Sequence, residues 1–200
     1  MVVKEVAKKD KSGIAEIVKI HLDTFEGFFL TFMGEGFLKI MYKCYCEHEK
    51  SGLLAVTNDE KTVGFLAYSY DISNLYKYMI KKKLFLFAWY SLLAFFRKPK
   101  IFIRLIKAFL KPGETKRQEK YVEISSIGVS PAVKGTGVGS KLMSYFKEHV
   151  NMDGYEYVNL ETDAENNDAV NNFYMKNGFR LERTYVTSEG RKMNEYRWRK

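Results

Sequence analysis

Cysteine, histidine and proline are scarce: the 200 residues hold two, three and three of them. The two cysteines, Cys44 and Cys46, lie two apart on a predicted helix, so they point to different faces and are poorly placed to pair with each other. No Cys or His cluster accompanies them, which leaves no metal pattern. With no disulfide framework, a reducing, cytoplasmic setting is the expectation. Long apolar runs are missing as well. The opening "MVVKEVAKKDKSG" has no apolar core of the kind an export signal needs. The uncharged stretch Leu84–Phe96 is 13 residues long, short of the ~20 that a bilayer-spanning helix requires. Internal repeats and low-complexity tracts are absent too. What is present, 46% hydrophobic and 16% aromatic residues, suffices for a real core and argues against disorder. The length suits one domain over residues 1–200.

Acidic residues are thin in one place. From Asn74 to Lys120 there are 13 Lys/Arg against Glu114 and Glu119, a local charge of +11 in a chain whose net charge is +9. The rest therefore sums to −2. This is a basic module on a near-neutral domain, not a chain basic throughout. A pI near 9.3 is one mark of nucleic-acid binding, but this segment is apolar-rich and has no recognition motif, so no nucleic-acid partner is expected.

The periodicities read as α/β. "VVKEVA" is a first strand. Ile14, Ile17, Val18 and His21 then recur at helical spacing, with Ser12 as the expected N-cap. A second helix is predicted from Glu35 to His48. "GLLAVTND" and "KTVGFLAYSYD" read as a hairpin across the turn "NDEK". Residues 74–120 form an expected helical insertion, with a second cationic helix along "PKIFIRLIKAFLKPGE" and the polar linker "GETKRQEK" closing it. Beyond it come the strand "YVEISSIGV", a glycine loop, a helix from about Gly137 to Val150, the strand "GYEYVNLET" and the helix "NDAVNNFYMKN". Two further strands, "GFRLERTYVT" and "KMNEYRWRK", complete the chain.

The glycine loop carries chemistry. "SPAVKGTGVGSKLM" puts three glycines into five residues between a strand and a helix. Free N–H groups of a first helical turn, with the helix dipole, favour an anion, and glycine lets an oxygen come close. Neither usual phosphate pattern fits. No Gly-Lys-Ser/Thr ends the loop, and Ser140 stands where a dinucleotide fingerprint needs its last glycine.

These residues resemble the acetyl-coenzyme A loop of the GCN5-related N-acetyltransferase (GNAT) family, [Q/R]-x-x-G-x-[G/A] after a strand ending V-x-P. Gly137 and Gly139 match, and Lys134 stands where Gln or Arg is usual. A second family motif, N-x-x-A-x-x-F-Y-x-x-x-G-F, is similar to Asn167 through Phe179, departing only at Val170. The resemblance implies a GNAT-like fold, a mixed, mostly antiparallel central sheet with flanking helices. It implies acetyl-CoA as cosubstrate, no metal, and direct attack of an amine on the thioester in a ternary complex. Backbone groups of Ile127, Gly128 and Val129 would pair with the pantetheine arm. N–H groups of Lys134, Gly135, Thr136, Gly137, Val138, Gly139 and Ser140 would hold the pyrophosphate. Asn167 and Phe173 would complete the cofactor site, and Tyr174 would protonate the leaving thiolate. Glu123, six residues before Val129, is the candidate base; it shares that residue's face only as far as strand alternation holds, and a bulge would alter this. His21, His48, Glu161 and Asp163 are rivals.

The aromatic, glycine-rich stretch Phe25–Phe37 is a candidate substrate wall. For the insertion the favoured expectation is a lid, its apolar face on the domain and its cations outward. A membrane-surface contact, which would make the enzyme peripheral, and a homodimer contact or anionic-substrate clamp are the alternatives. The expected acceptor is a small-molecule amine such as an amino sugar or a sugar nucleotide. Protein lysine or N-terminal acetylation is a second reading. A non-catalytic acyl-CoA-binding or membrane-surface module is a third, disfavoured because the loop and Tyr174 are intact.

Overall fold

Gly52–Val56 is an unbroken buried run, the mark of a strand covered on both faces. In the computed structural model, which describes residues 1–97, 99, 103, 119–187 and 190–200, this run lies in β2 (Ser51–Asn58). The other strands are β1 (Val2–Glu5), β3 (Lys61–Ser69), β4 (Tyr121–Val129), β5 (Tyr157–Asp163), β6 (Arg180–Val186) and β7 (Lys192–Trp198). They form one open seven-stranded sheet in the order β1-β2-β3-β4-β5-β7-β6. Every neighbouring pair is antiparallel except β4–β5. This is the α/β, mostly antiparallel sheet that the sequence predicts.

Helices cover both faces. On one, α1 (Lys11–Thr24), α3 (Glu35–Glu47) and α4 (Ile72–Arg97) bury Ile17, Leu38, Tyr42 and Leu75 over Leu53, Ala55, Phe65 and Ala67. On the other, α5 (Val138–His149) and α6 (Asp168–Lys176) bury Val138, Leu142, Phe146 and Tyr174 over Leu54, Val56, Leu66 and Val122. The short α2 (Phe29–Met33) links α1 to α3. Alternate residues of β2 feed alternate cores, as strand geometry requires.

The α1 cap is Asp10, not Ser12. The helix starts one residue before Ser12, and the Asp10 carboxylate accepts the Gly13 N–H at 2.8 Å. The β2–β3 turn is two residues, Asp59 and Glu60, both at positive φ (46° and 65°), which matches the twist of a tight hairpin.

Two features bear on function. β4 carries a bulge: Ala67 pairs with Ser126 and Tyr68 with Ile124, so Ser125 is the extra residue. The bulge inverts the alternation. Val122 and Ile124 face the α5 core before it, and Ile127 and Val129 pack on that same core after it. Glu123 and Val129 therefore lie on opposite faces, which corrects the unbroken-strand expectation.

The second feature is α4. It starts at Ile72, and Tyr90 fills the notch at Gly36, where a Cβ would lie 2.0 Å from the ring. Leu75, Met79 and Ala94 are buried. Ile80, Leu84, Phe85, Trp89, Leu93 and Phe96 face solvent. The expected apolar inner face and outward cations are present in the described residues, with Leu75, Met79 and Phe87 on the domain and Lys77, Lys81 and Lys82 exposed, but large apolar side chains face outward as well. This run is apolar around the whole helix, and only one side can meet α3. Apart from Pro99, Ile103, Glu119 and Lys120, the predicted second helix and the linker lie outside the described residues.

Candidate active site

β4 and β5 pair only at Tyr121–Tyr157, Val122–Val158 and Glu123–Asn159. Beyond that point the two strands part, although β4 runs on to Val129 and β5 to Asp163. The parted edge of β4 thus presents Ile124–Val129 as unfinished sheet, a place where an extended group can add as a strand. Ile127, Gly128 and Val129 all lie on it. Gly128 is required by crowding, since a Cβ there would lie 2.6 Å from Phe65 and 3.4 Å from Phe25. Phe25 brings the predicted substrate wall to this strand end, and Thr24 donates to the Val129 carbonyl at 3.2 Å.

The phosphate loop follows directly. Pro131–Val133 makes one 3-10 turn, Lys134 is extended, and Gly137 (φ 87°, ψ 1°) stands at the N-cap of α5. No side chain caps the helix, so its first-turn N–H groups, those of Val138, Gly139 and Ser140, point free of the helix ladder. Lys141 N–H makes the first intrahelical bond, to Gly137 O at 2.9 Å. Thr136 is exposed, and its hydroxyl and its N–H both donate to the Val133 carbonyl, at 2.7 and 3.3 Å. The glycines serve different ends. Gly137 supplies the left-handed backbone with nothing within 4 Å, whereas a Cβ at Gly139 would meet Phe173 at 3.1 Å. That contact brings the loop and α6 together. A helix N-terminus with free donors, next to an unpaired strand edge, fits a group with a diphosphate and an extended amide arm.

On α6, Tyr174 is 7% exposed and packs against Phe173, Phe179 and Tyr196. Burial, reinforced by Tyr196, raises its phenol well above the ordinary value, so it stays protonated across the physiological range. Asn167 donates to Thr162 Oγ1 at 2.8 Å and to the Asp163 carbonyl at 3.1 Å, pinning the start of α6 to the end of β5. Sequence reasoning missed Asn171, which is buried, donates to the carbonyls of Asp163 and Asn167, and accepts from Asn194 and Tyr196.

Glu123 lies on the other face of the sheet from Tyr174. Asn159 Nδ2 donates to its Oε2 at 2.9 Å. Asn159 is 1% exposed, and its Oδ1 has no partner among the described residues. Sequence reasoning missed this residue too. A cavity of about 330 Å³ opens beside Glu123, lined also by Asp71, Glu119, Lys50, Lys120, Tyr70 and Tyr121.

The rival bases are otherwise engaged. His21 is buried, with Nδ1 2.6 Å from the Tyr42 hydroxyl, and burial lowers its pKa to about 4. His48 bonds Ser51 at 2.9 Å, and desolvation lowers its pKa as well. Glu161 accepts from Tyr185 at 2.7 Å, and Asp163 is held by Arg191. Among the described residues no group of three His, Cys, Asp or Glu side chains could hold a metal ion.

A model of the Acetyltransferase (GNAT) family matches residues 14–179, and the chain belongs to that family. It is an acetyl-CoA-dependent N-acetyltransferase. Among solved structures it is similar to the N-acetyltransferase from Staphylococcus aureus Mu50, with TM-score 0.62, 19% identity, and 99% of this chain and 100% of that chain covered. The ribosomal-protein-alanine N-acetyltransferase from Brucella melitensis gives TM-score 0.62 and 13% identity over 100% of both chains. A Bacillus anthracis str. Ames acetyltransferase solved in complex with acetyl coenzyme A gives TM-score 0.51 and 15% identity, covering 80% of this chain and 68% of that one. At these identities the likeness is one of fold. No curated protein matches the chain significantly.

Proposed function

We propose that the acceptor is a small-molecule amine, such as an amino sugar or a sugar nucleotide, and that Glu123 and Tyr174 carry the proton transfers. The supporting observation is the cavity of about 330 Å³ at Glu123. That volume is within the ~300–1,000 Å³ of small-molecule sites. Its lining mixes three carboxylates, Asp71, Glu119 and Glu123, with two cations, Lys50 and Lys120, and with hydroxyl groups, which suits a polar body that carries an amine beside anionic or hydroxyl groups.

The amine enters on the Glu123 face. Glu123 takes its proton, directly or through a water, and the freed lone pair attacks the thioester carbonyl lying along β4. Ile127, Gly128 and Val129 hold the pantetheine arm by backbone bonds. Lys134, Gly135, Thr136, Gly137, Val138, Gly139 and Ser140 hold the pyrophosphate. Asn167, its amide N–H groups committed to β5, offers Oδ1 to an arm N–H. Phe173 walls the site beside Gly139. Tyr174, on the opposite face, gives its proton to the departing thiolate. A raised phenol pKa makes that proton harder to give, but a thiolate formed in the same low-dielectric site is raised likewise, so the mismatch is smaller than the phenol shift alone suggests. This is proposed as a cytoplasmic activity.

Thiol release from acetyl-CoA across a panel of amines tests the reading. A small amino-bearing sugar should support turnover, and peptides bearing a free lysine or N-terminus should not. Turnover of peptides alone would overturn the acceptor class. Tyr174→Phe should lower kcat by about 10²-fold with acetyl-CoA affinity little changed, and Glu123→Gln should recover part of its lost rate at high pH. Wild-type rates in both variants would remove these residues from the mechanism.

A further inference from the structure

Phe85, Trp89, Leu93 and Phe96 recur at helical spacing and form one stripe along the outer side of α4, and Ile80 and Leu84 add exposed apolar surface round the helix just before it. Phe85 is 89% exposed, Phe96 72% and Trp89 58%. At 1.5 Å per residue the stripe from Phe85 to Phe96 is roughly 16 Å long. A monomer does not leave such a patch in water without a use for it. We propose that this face docks the enzyme on an anionic lipid surface, with α4 lying in the headgroup plane. The inference is independent of the acceptor and of the roles given to Glu123 and Tyr174.

Charge selects this occupant. Ile72–Arg97 contains Lys77, Lys81, Lys82, Lys83 and Arg97, and no acidic residue. Lys77, Lys81 and Lys82 are exposed just before the stripe, and Lys83 turns inward to Glu47 at 3.4 Å. Pro99 and Ile103, described beyond Arg97, are exposed as well and add apolar surface past the end of the stripe. Aromatic and aliphatic groups flanked by lysines, with a tryptophan among them, are what an interfacial helix carries. A second copy would face cations with cations and offer no carboxylate from α4 to pair them. Anionic headgroups offer that counter-charge. The helix lies on the membrane and does not cross it, because among the described residues no helix is long and apolar enough to span. Its inner side is already held by α3 and the core, which fixes which side faces the lipid.

Flotation with vesicles of phosphatidylcholine alone, and with about 30% phosphatidylserine, tests the proposal. The full chain should float with the anionic vesicles, far less with the neutral ones, and come off as salt is raised. In a Trp198→Phe variant, Trp89 is the sole tryptophan, and its emission should shift to the blue on binding. Lys81→Glu with Lys82→Glu should lower partitioning by roughly tenfold or more, and Phe85→Glu should lower it similarly. A melting shift with acetyl-CoA, kept in every variant, shows that each is folded. If a variant does not fold, the salt dependence and the Trp89 shift of the otherwise native chain still decide. Three outcomes overturn the proposal: no flotation with either vesicle, flotation indifferent to all these substitutions, or a concentration-dependent dimer in sedimentation that Phe85→Glu dissociates.

Discussion

His21 is sealed among Phe25, Tyr42 and Phe65, and this has a thermodynamic signature. An unfolded histidine takes its proton near pH ~6.5, while the folded one, lowered by burial to about 4, stays neutral. Between those values the unfolded state binds more protons, so stability is fully present above pH ~6.5 and is lost as pH falls toward 4, by about 3 kcal/mol in all. His48, also lowered, adds a loss of the same sign. Urea midpoints at pH 7 and pH 5 should therefore differ in the wild type, and differ less in His21→Gln. Equal drops in both would clear His21 of the effect. Such residue-level detail was partly legible. The loop glycines and the Asn167–Phe179 pattern stood in the sequence. Asn159 left a fainter trace, a lone amide inside the apolar run Tyr157–Leu160. What it bonds depends on β4 lying alongside, which no local pattern records. Asp10 prevailed over Ser12 as a cap because both can fill that role and the backbone settled two residues earlier.

Gly137 shows how an element is set by one dihedral. Its φ of 87° begins α5, and nothing lies within 4 Å of where a Cβ would stand. Gly137→Ala therefore meets conformational strain alone, about 1–2 kcal/mol. Melting should fall by roughly 2–8 °C. Acetyl-CoA affinity, read by calorimetry, should fall as the first-turn donors lose their aim. Unchanged affinity would separate this glycine from the pyrophosphate. Strands and helices followed the sequence periods closely, β4 from its first residue to its last. The bulge inside it did not show, because "YVEISSIGV" alternates plausibly throughout and carries no glycine where Ser125 is extra. Its consequence is large, since it turns Glu123 away from the face of Val129. The second element that escaped was α4. Apolar on all sides, its sequence cannot say which side the core takes, and the answer came from the notch at Gly36.

At the scale of the molecule, the sheet is two wings joined at three residue pairs of β4 and β5. Acetyl-CoA at 100 times its dissociation constant should add ~2.7 kcal/mol to stability, a rise in Tm of about 5–10 °C. Amide exchange should slow along Ile124–Val129 in the same experiment. A shift in Tm with no slowing there would mean that the arm does not lie along β4. The order of the strands and the longer described helices was legible because each carries its own period, whereas the five-residue α2, inside the stretch read as a substrate wall, was too short to show one. The parting of the sheet was not legible, because it depends on where two distant strands stop touching. With acetyl-CoA lying along Ile124–Val129, as proposed, the donor would also bridge the two wings, so cleavage by an added protease should slow as acetyl-CoA is raised.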